Sequence, residues 1–113
     1  MQSEDKIRLH HILDEANEAC QYVEGLSFDE FRKDGKTVRA VIRSIEVIGE
    51  AASKLSLEFR KEHPEVPWNK ISGMRNHLIH VYFDIDYHII WQTVKENLHP
   101  LIDQIQSILN IMI

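Results

Sequence analysis

Apolar residues recur at spacings of three and four along almost the whole chain, and this periodicity limits the folds that the chain can adopt. The first stripe is typical, since it places an apolar residue on one helical face at every turn. Its members are Leu9, Ile12, Leu13, Ala16, Ala19, Cys20 and Val23. No segment shows the sustained apolar–polar alternation of a half-buried strand. The pattern therefore predicts an all-α fold, an up-and-down bundle of about four to five helices.

Capping residues and prolines set the expected limits of the first long helices. Ser3 is a plausible N-cap for the first helix, and Gly25 is a plausible stop after it. The longest helix is predicted over about residues 36–62, because its apolar stripe persists until Pro64.

The last helix is predicted to start at a cap at Asp84 or Asp86, and its apolar stripe runs from Tyr87 to Leu109. Its stripe keeps its phase across Pro100, a residue that usually breaks a helix. Two independent helices would have no reason to share one register. We therefore expect one long helix that is kinked at Pro100.

Length and charge restrict the classes of protein to which the chain can belong. Its 113 residues suit a single domain, residues 1–113, and no apolar run approaches the roughly 18 residues of a membrane span. With 13 basic and 18 acidic residues, the net charge of −5 argues against a general polyanion binder. An acidic N-terminus without an apolar run is not expected to be a signal peptide, and the single cysteine, Cys20, predicts a reducing, cytoplasmic setting.

Reactive side chains are concentrated near Gly73–Tyr82, on a helix predicted from Trp68 to His80 or Tyr82. The segment reads R-N-x-x-x-H-x-Y and contains Arg75 and His80. A histidine near neutral pKa can take the proton of a ribose 2′-hydroxyl or protonate the leaving oxygen. The planar guanidinium of arginine matches the non-bridging phosphoryl oxygens. These residue types therefore suit metal-free RNA cleavage.

Two more polar residues of the segment have predicted roles. Asn76 can orient His80 or donate to phosphate, and Tyr82 can stack on a base or hydrogen-bond the RNA backbone. On one helix, Arg75 and His80 would lie about 140° apart, which is awkward for gripping one phosphate. A two-fold dimer would bring two motifs around one cleft. Taken alone, however, a helical Arg followed by His and Tyr is more often a surface arrangement than a catalytic one.

The segment and its flanks resemble a known family. R-x4-H-x-Y is the motif of the HEPN superfamily, and the chain is most similar to the HepT toxins within it. The flanking matches are Ile48-Gly49-Glu50-Ala51-Ala52, Pro67-Trp68, Asp86 and Trp91. The resemblance covers about residues 5–110.

The HepT resemblance implies a specific activity and specific partners. It implies a homodimer whose interface forms a composite endoribonuclease site, acting as the toxin of a type II/VII-like toxin–antitoxin system. It further implies a cognate minimal nucleotidyltransferase antitoxin that transfers AMP from ATP to the motif tyrosine, here Tyr82. The alternative function is a non-catalytic helical module for dimerisation or substrate binding that partners a nucleotidyltransferase. An RNA cleavage assay separates the two.

Neither a metal nor another cofactor is predicted. The di-iron bundle pattern Glu-x-x-His occurs only once, at Glu96–His99, and no His-Glu-x-x-His motif occurs. His77 and His80 have a spacing that could ligate a metal, but His77 is more simply a structural or peripheral residue. Glu50 is either a buried partner of Arg75 or part of a solvated face.

Four basic residues form a further pattern that does not come from the family. Arg32, Lys36, Arg39 and Arg43 would share one helical face if the helix extended back to residue 32. The simpler interpretation is a solvated face that pairs with Asp34, Glu46 or a neighbouring helix. The alternative is a track for RNA phosphates or for an acidic surface of the antitoxin.

Overall fold

Helices dominate the computed structural model, which describes residues 3–77, 79–80 and 84–112, with the backbone alone at 77, 79 and 80. Seven α-helices occur in these ranges: α1 Ser3–Tyr22, α2 Phe28–Lys33, α3 Gly35–Ser53, α4 Leu57–Glu62, α5 Trp68–Gly73, α6 Tyr87–Gln92 and α7 Leu98–Ile111. A 3-10 helix, Met74–His77, follows α5, and a π-helical turn, Thr93–Asn97, joins α6 to α7. Two antiparallel strands, β1 Ile79–His80 and β2 Asp84–Ile85, are only two residues long.

The core lies where α1 packs against both α3 and α7. Each of these helices buries its predicted apolar stripe; Leu9, Ile45 and Ile105, for example, are completely buried. The short helices add large side chains to the same cluster, with Phe31 from α2 and Phe59 from α4. The all-α bundle predicted from the periodicity is thus confirmed. Among the described residues no helix is both long and apolar enough to span a lipid bilayer.

The helix predicted over residues 36–62 is two helices in the structure, and this prediction was wrong. The chain leaves α3 after Ser53, and Ser56 starts α4 by accepting a hydrogen bond from the Phe59 amide. The carboxylate of Asp5, which is 3% exposed on α1, accepts bonds from the Ser56 amide at 2.9 Å and from its hydroxyl at 2.7 Å. In an uninterrupted helix the Ser56 amide would bond within the helix and would not be available to Asp5. The contact with Asp5 therefore favours a break before Ser56.

The last helix continues through Pro100, as the register of its stripe predicts. The irregular part lies before the proline, in the π turn, where the Leu98 amide donates to the Thr93 carbonyl five residues back. In a regular α-helix the ring of Pro100 would clash with the carbonyl of residue 96. The π turn, Thr93–Asn97, contains residue 96, so the regular bonding that this clash would disturb is already altered there. With α6, the π turn and α7 counted together, the described residues form six helical segments, more than the four to five predicted.

Candidate active site and adjoining cleft

Arg75 is positioned by a close approach between the 3-10 helix and α3. A Cβ atom added at Gly49 would lie 3.2 Å from the Ser72 carbonyl oxygen and 3.4 Å from Cδ of Arg75. Only a residue without a side chain allows this approach without displacement. The aliphatic part of Arg75 therefore packs over Gly49, and this packing sets the position of the guanidinium relative to α3.

The guanidinium of Arg75 is then held by Glu50, the next residue of α3. Its Nη1 donates to Oε2 of Glu50 at 2.8 Å, while Nζ of Lys54 lies 2.9 Å from the other carboxylate oxygen. The hydrogen bonds from Lys54 and then from Arg75 hold the pKa of Glu50 below its ordinary value. The side chain of Arg75 is 39% exposed and that of Glu50 is 52% exposed. Glu50 is therefore a partner of Arg75, as one of the two sequence interpretations held, but it lies on the surface and is not buried.

His80 does not lie on the helix that carries Arg75, so the predicted helix from Trp68 to His80 or Tyr82 was wrong. The α-helix ends at Gly73 and the 3-10 helix at His77, and the backbone of His80 pairs with Asp84 in the two-residue ladder. The physical reason is in the sequence. Trp68, Ile71 and Met74 exhaust the buried face, and the β-branched and aromatic run that follows favours extended backbone.

This change removes the angular arguments that were based on a single helix. The 140° separation of Arg75 and His80 has no basis in the observed backbone. Asn76 is exposed beside Arg75 on the 3-10 helix. The side chains of His77 and His80, and all of Tyr82, lie outside the described residues.

The four predicted basic residues do not share one helix. Arg32 belongs to α2, and Asp34 separates it from α3 by ending one helix and capping the next, where it accepts bonds from the amide and hydroxyl of Thr37. Lys36, Arg39 and Arg43 are exposed on α3, and within the described ranges none of them makes an ion pair. Lys36 still interacts with one predicted partner, since the hydrogen bonds from Thr37 and, to a lesser degree, the charge of Lys36 lower the pKa of Asp34. The predicted pairing with Glu46 or a neighbouring helix is absent from those ranges.

The exposed face of α3 connects these basic residues to the Arg75 contact. Lys36, Arg39, Arg43, Glu46 and Glu50 are all exposed and fall within about 80° of one another around the helix axis. The N-terminal half of the face is basic, and its C-terminal half bears the carboxylate that binds Arg75. We call Lys36, Arg39 and Arg43 the basic stripe.

Comparison with known proteins identifies the family. The family described as "Ribonuclease HepT-like" matches residues 12–108, which is most of the sequence. The chain belongs to the HepT-like ribonuclease family. The resemblance inferred from the motif is confirmed, and the predicted class of enzyme, a ribonuclease, is that of the family.

Relatives of this HepT-like ribonuclease occur in bacteria and archaea. A protein named "Putative RNase TTE0752" from Caldanaerobacter subterraneus subsp. tengcongensis is 46% identical over 101 residues, which cover 89% of this chain and 90% of that protein. A protein named "Probable ribonuclease HepT" from Thermococcus cleftensis is 41% identical over 93 residues, which cover 79% of this chain and 84% of that one. No solved structure matches the chain.

The HepT-like fold also brings together residues that sequence reasoning did not connect. Arg32 lines a small recess with Phe28, Asp84 and His88. Asp84 is also the residue whose backbone pairs with His80. The rings of Phe28 and His88 stack there with centroids 4.3 Å apart. A second, larger cleft adjoins Asn76. No periodic signal could have revealed either feature, because each joins segments that are far apart in sequence.

Proposed function

We propose that this chain is a metal-independent endoribonuclease toxin in which Arg75 and His80 carry the chemistry. His80 accepts the proton of the ribose 2′-hydroxyl or protonates the 5′-oxygen that leaves. The 2′-oxygen attacks the adjacent phosphorus, the bond to the 5′-oxygen breaks, and the products are a 2′,3′-cyclic phosphate and a free 5′-hydroxyl. Arg75 stabilises the charge that develops on the non-bridging oxygens, and Asn76 donates a further hydrogen bond to the phosphate.

The observation that carries this proposal is the state of Arg75. Its stem is fixed against Gly49 and one of its nitrogens binds Glu50, yet the side chain remains 39% exposed. A guanidinium has five N–H donors, so those not used by Glu50 remain for a phosphate. An arginine that is oriented and still accessible is what stabilisation of a phosphoryl transition state requires.

The basic stripe supports an RNA substrate despite the net charge of −5. Three exposed cations without ion-pair partners in the described ranges lie on the helix face that leads to Glu50 and Arg75. Phosphates bound along them would relieve their mutual repulsion and direct the strand towards the site. Arg32, on the separate helix α2, would contact RNA nearer to the His80 ladder.

The proposed assembly and its regulation come from the family resemblance. We expect a homodimer with a composite site, and a cognate minimal nucleotidyltransferase that modifies Tyr82 with AMP. An AMP group at Tyr82 adds a negative charge two residues from His80 and repels RNA. The acidic surface of such an antitoxin is the alternative occupant of the basic stripe.

A cleavage assay in the presence of EDTA tests the chemistry. Wild type should convert RNA to fragments ending in 2′,3′-cyclic phosphate, whereas Arg75→Ala and His80→Ala should each cut about a hundredfold more slowly or worse. His10→Ala, which removes an exposed histidine of α1, is the matched control and should cut normally. Activity that disappears with EDTA and returns with magnesium or zinc would refute the metal-independent mechanism.

A second assay tests regulation. Incubation with the cognate nucleotidyltransferase and ATP should add one or more AMP masses to Tyr82, with cleavage falling in parallel. Tyr22→Phe and Tyr87→Phe should still accept AMP, and Tyr82→Phe should not. An adduct on either of the other tyrosines, or inhibition without an adduct, would contradict this part of the proposal.

A further inference from the structure

An open cleft of about 570 Å³ lies between the α5 and 3-10 segment and the helix that contains the π turn. One wall carries Asn69, Lys70 and Asn76, and the opposite wall carries Glu96 and Asn97. Because Asn76 follows Arg75 directly, the cleft begins next to the proposed catalytic arginine. It is large enough for a small organic group.

Three asparagine side chains line this cleft without a hydrogen-bond partner in the described part of the chain. They are Asn69, Asn76 and Asn97, and each offers two N–H donors and one carbonyl acceptor. Asn97 is the last residue of the π turn, inside the continuous helix, and its side chain bonds to no neighbouring backbone amide. The amide of Asn97 is therefore available to another partner.

The rest of the cleft supplies an apolar floor and two charges. Met74 and Ile89 give the floor, and the π turn contributes one wall, where extra residues per turn often mark a functional site. Glu96 accepts a bond from Gln92 on Oε2 at 3.0 Å, so its other oxygen is available. Lys70 makes no ion pair among the described residues.

We propose that this cleft binds one nucleobase of the RNA substrate, beside the phosphate that is cut. The proposal rests on the ribonuclease function proposed above and assigns a base-reading role to Asn69, Asn97 and Glu96. Asparagine amides form paired hydrogen bonds with base edges, and a carboxylate accepts from an exocyclic amino group. Lys70 binds the phosphate attached to that base. The cleft therefore prefers adenine, guanine or cytosine to uracil, which has no amino group.

The experiment measures base preference in two ways. The first is binding of the four nucleoside 3′-monophosphates by NMR titration, and the second is cleavage of oligonucleotides that vary one base beside a fixed site. Wild type should favour the amino-bearing bases over uracil by about tenfold, which corresponds to one good polar contact. In the double variant Asn69→Ala, Asn97→Ala this preference should fall below about threefold. Asn110→Ala, which removes an exposed asparagine of α7 outside the cleft, should behave as wild type.

Each outcome decides one of the two proposals. A double variant with wild-type preference, or a wild type that cuts RNA without preference, overturns the base-binding cleft and leaves the ribonuclease proposal intact. A wild type that discriminates among the nucleotides but cuts no RNA overturns the ribonuclease and retains the cleft. If the double variant instead changes the oligomeric state in light scattering, the cleft is an interface between copies and the base-binding inference is wrong.

Discussion

Two regions of this molecule are held in place by different forces. The α1, α3 and α7 core is held by aliphatic side chains with essentially no exposure, such as Ile12, Ile48 and Leu98. The side chain of Arg75 is held by its packing over Gly49 and by the exposed ion pair with Glu50, although Met74 next to it is buried in the core. Burial gives most of the stability, whereas exposed polar contacts contribute little to it. Stability and the proposed chemistry should therefore be separable by mutation.

The strongest test of this separation is removal of a core side chain. Ile45→Ala should lower the free energy of unfolding by about 2–5 kcal/mol, because Ile45 is completely buried and its loss leaves a cavity. Chemical denaturation measures the change. Ile7→Ala, the same substitution at a position that is 53% exposed on α1, should change stability by less than about 0.5 kcal/mol. Equal losses in the two variants would mean that the helical core is not what stabilises the fold.

The buried contact between Asp5 and Ser56 tests whether polar groups also stabilise the helical core. Asp5→Ala should cost about 2–3 kcal/mol, because the amide and hydroxyl of Ser56 lose their acceptor in a mostly buried place. Asp14→Ala removes an exposed carboxylate from the same helix and is the matched control. Denaturation midpoints that agree between the two variants would show that Asp5 does not secure the start of α4.

Gly49 joins the two regions, so its substitution should affect both. In Gly49→Ala the new methyl group pushes against the Ser72 carbonyl, and we expect a loss of about 1 kcal/mol relative to Gly35→Ala. The displaced Arg75 should reduce RNA cleavage by about tenfold or more. At Gly35 a new methyl group meets only the end of Arg39, at 3.8 Å, so that variant should remain active. Full activity in Gly49→Ala would show that the contact with α3 does not position Arg75.

The smallest effect concerns the ion pair itself. Since the pKa of Glu50 is lowered in the folded chain, the pairing stabilises the fold above the ordinary pKa of about 4.3 and is lost as the pH falls through the lowered value. The Glu50 carboxyl signal in an NMR titration should therefore have a midpoint below about 4.3. Lys54→Ala should raise that midpoint more than Arg75→Ala does, because Lys54 is the larger cause. The reverse order would show that Arg75 is the main partner of the carboxylate.

The sequence was informative wherever burial determines the structure. The stripes of α1, α3 and the last helix, and the stop at Gly25, whose backbone is left-handed, were all visible as local patterns. The break before α4 was not, because it depends on Asp5, which lies 51 residues away from Ser56. The local signal for a new helix was Ser56, a residue type that often caps helices, followed by Leu57, Glu58 and Phe59.

The candidate site was predictable in its residue types but not in its geometry. Arg75 and Glu50 were foreseen as possible partners, and the structure pairs them. The helical placement of His80 was wrong, because the motif was assigned to a helix although β-branched and aromatic residues, which favour extended backbone, surround His80. The asparagine cleft went unnoticed because Asn69 and Asn97 belong to separate segments that only packing brings together.

The packing of α1 against α7 also has a consequence for the order of events during synthesis. Helix α1 packs against α7, which begins at Leu98, as well as against α3, so the core remains incomplete until α7 has been made. Because domains fold as units while the chain emerges from its N-terminus, a ribosome that has made only α1 to α5 and the 3-10 helix carries an open, incomplete core. Arg75 and Gly49 are already present at that stage, but the bundle that holds them is not. A ribonuclease with this fold should therefore be unable to form its site before α7 has been made.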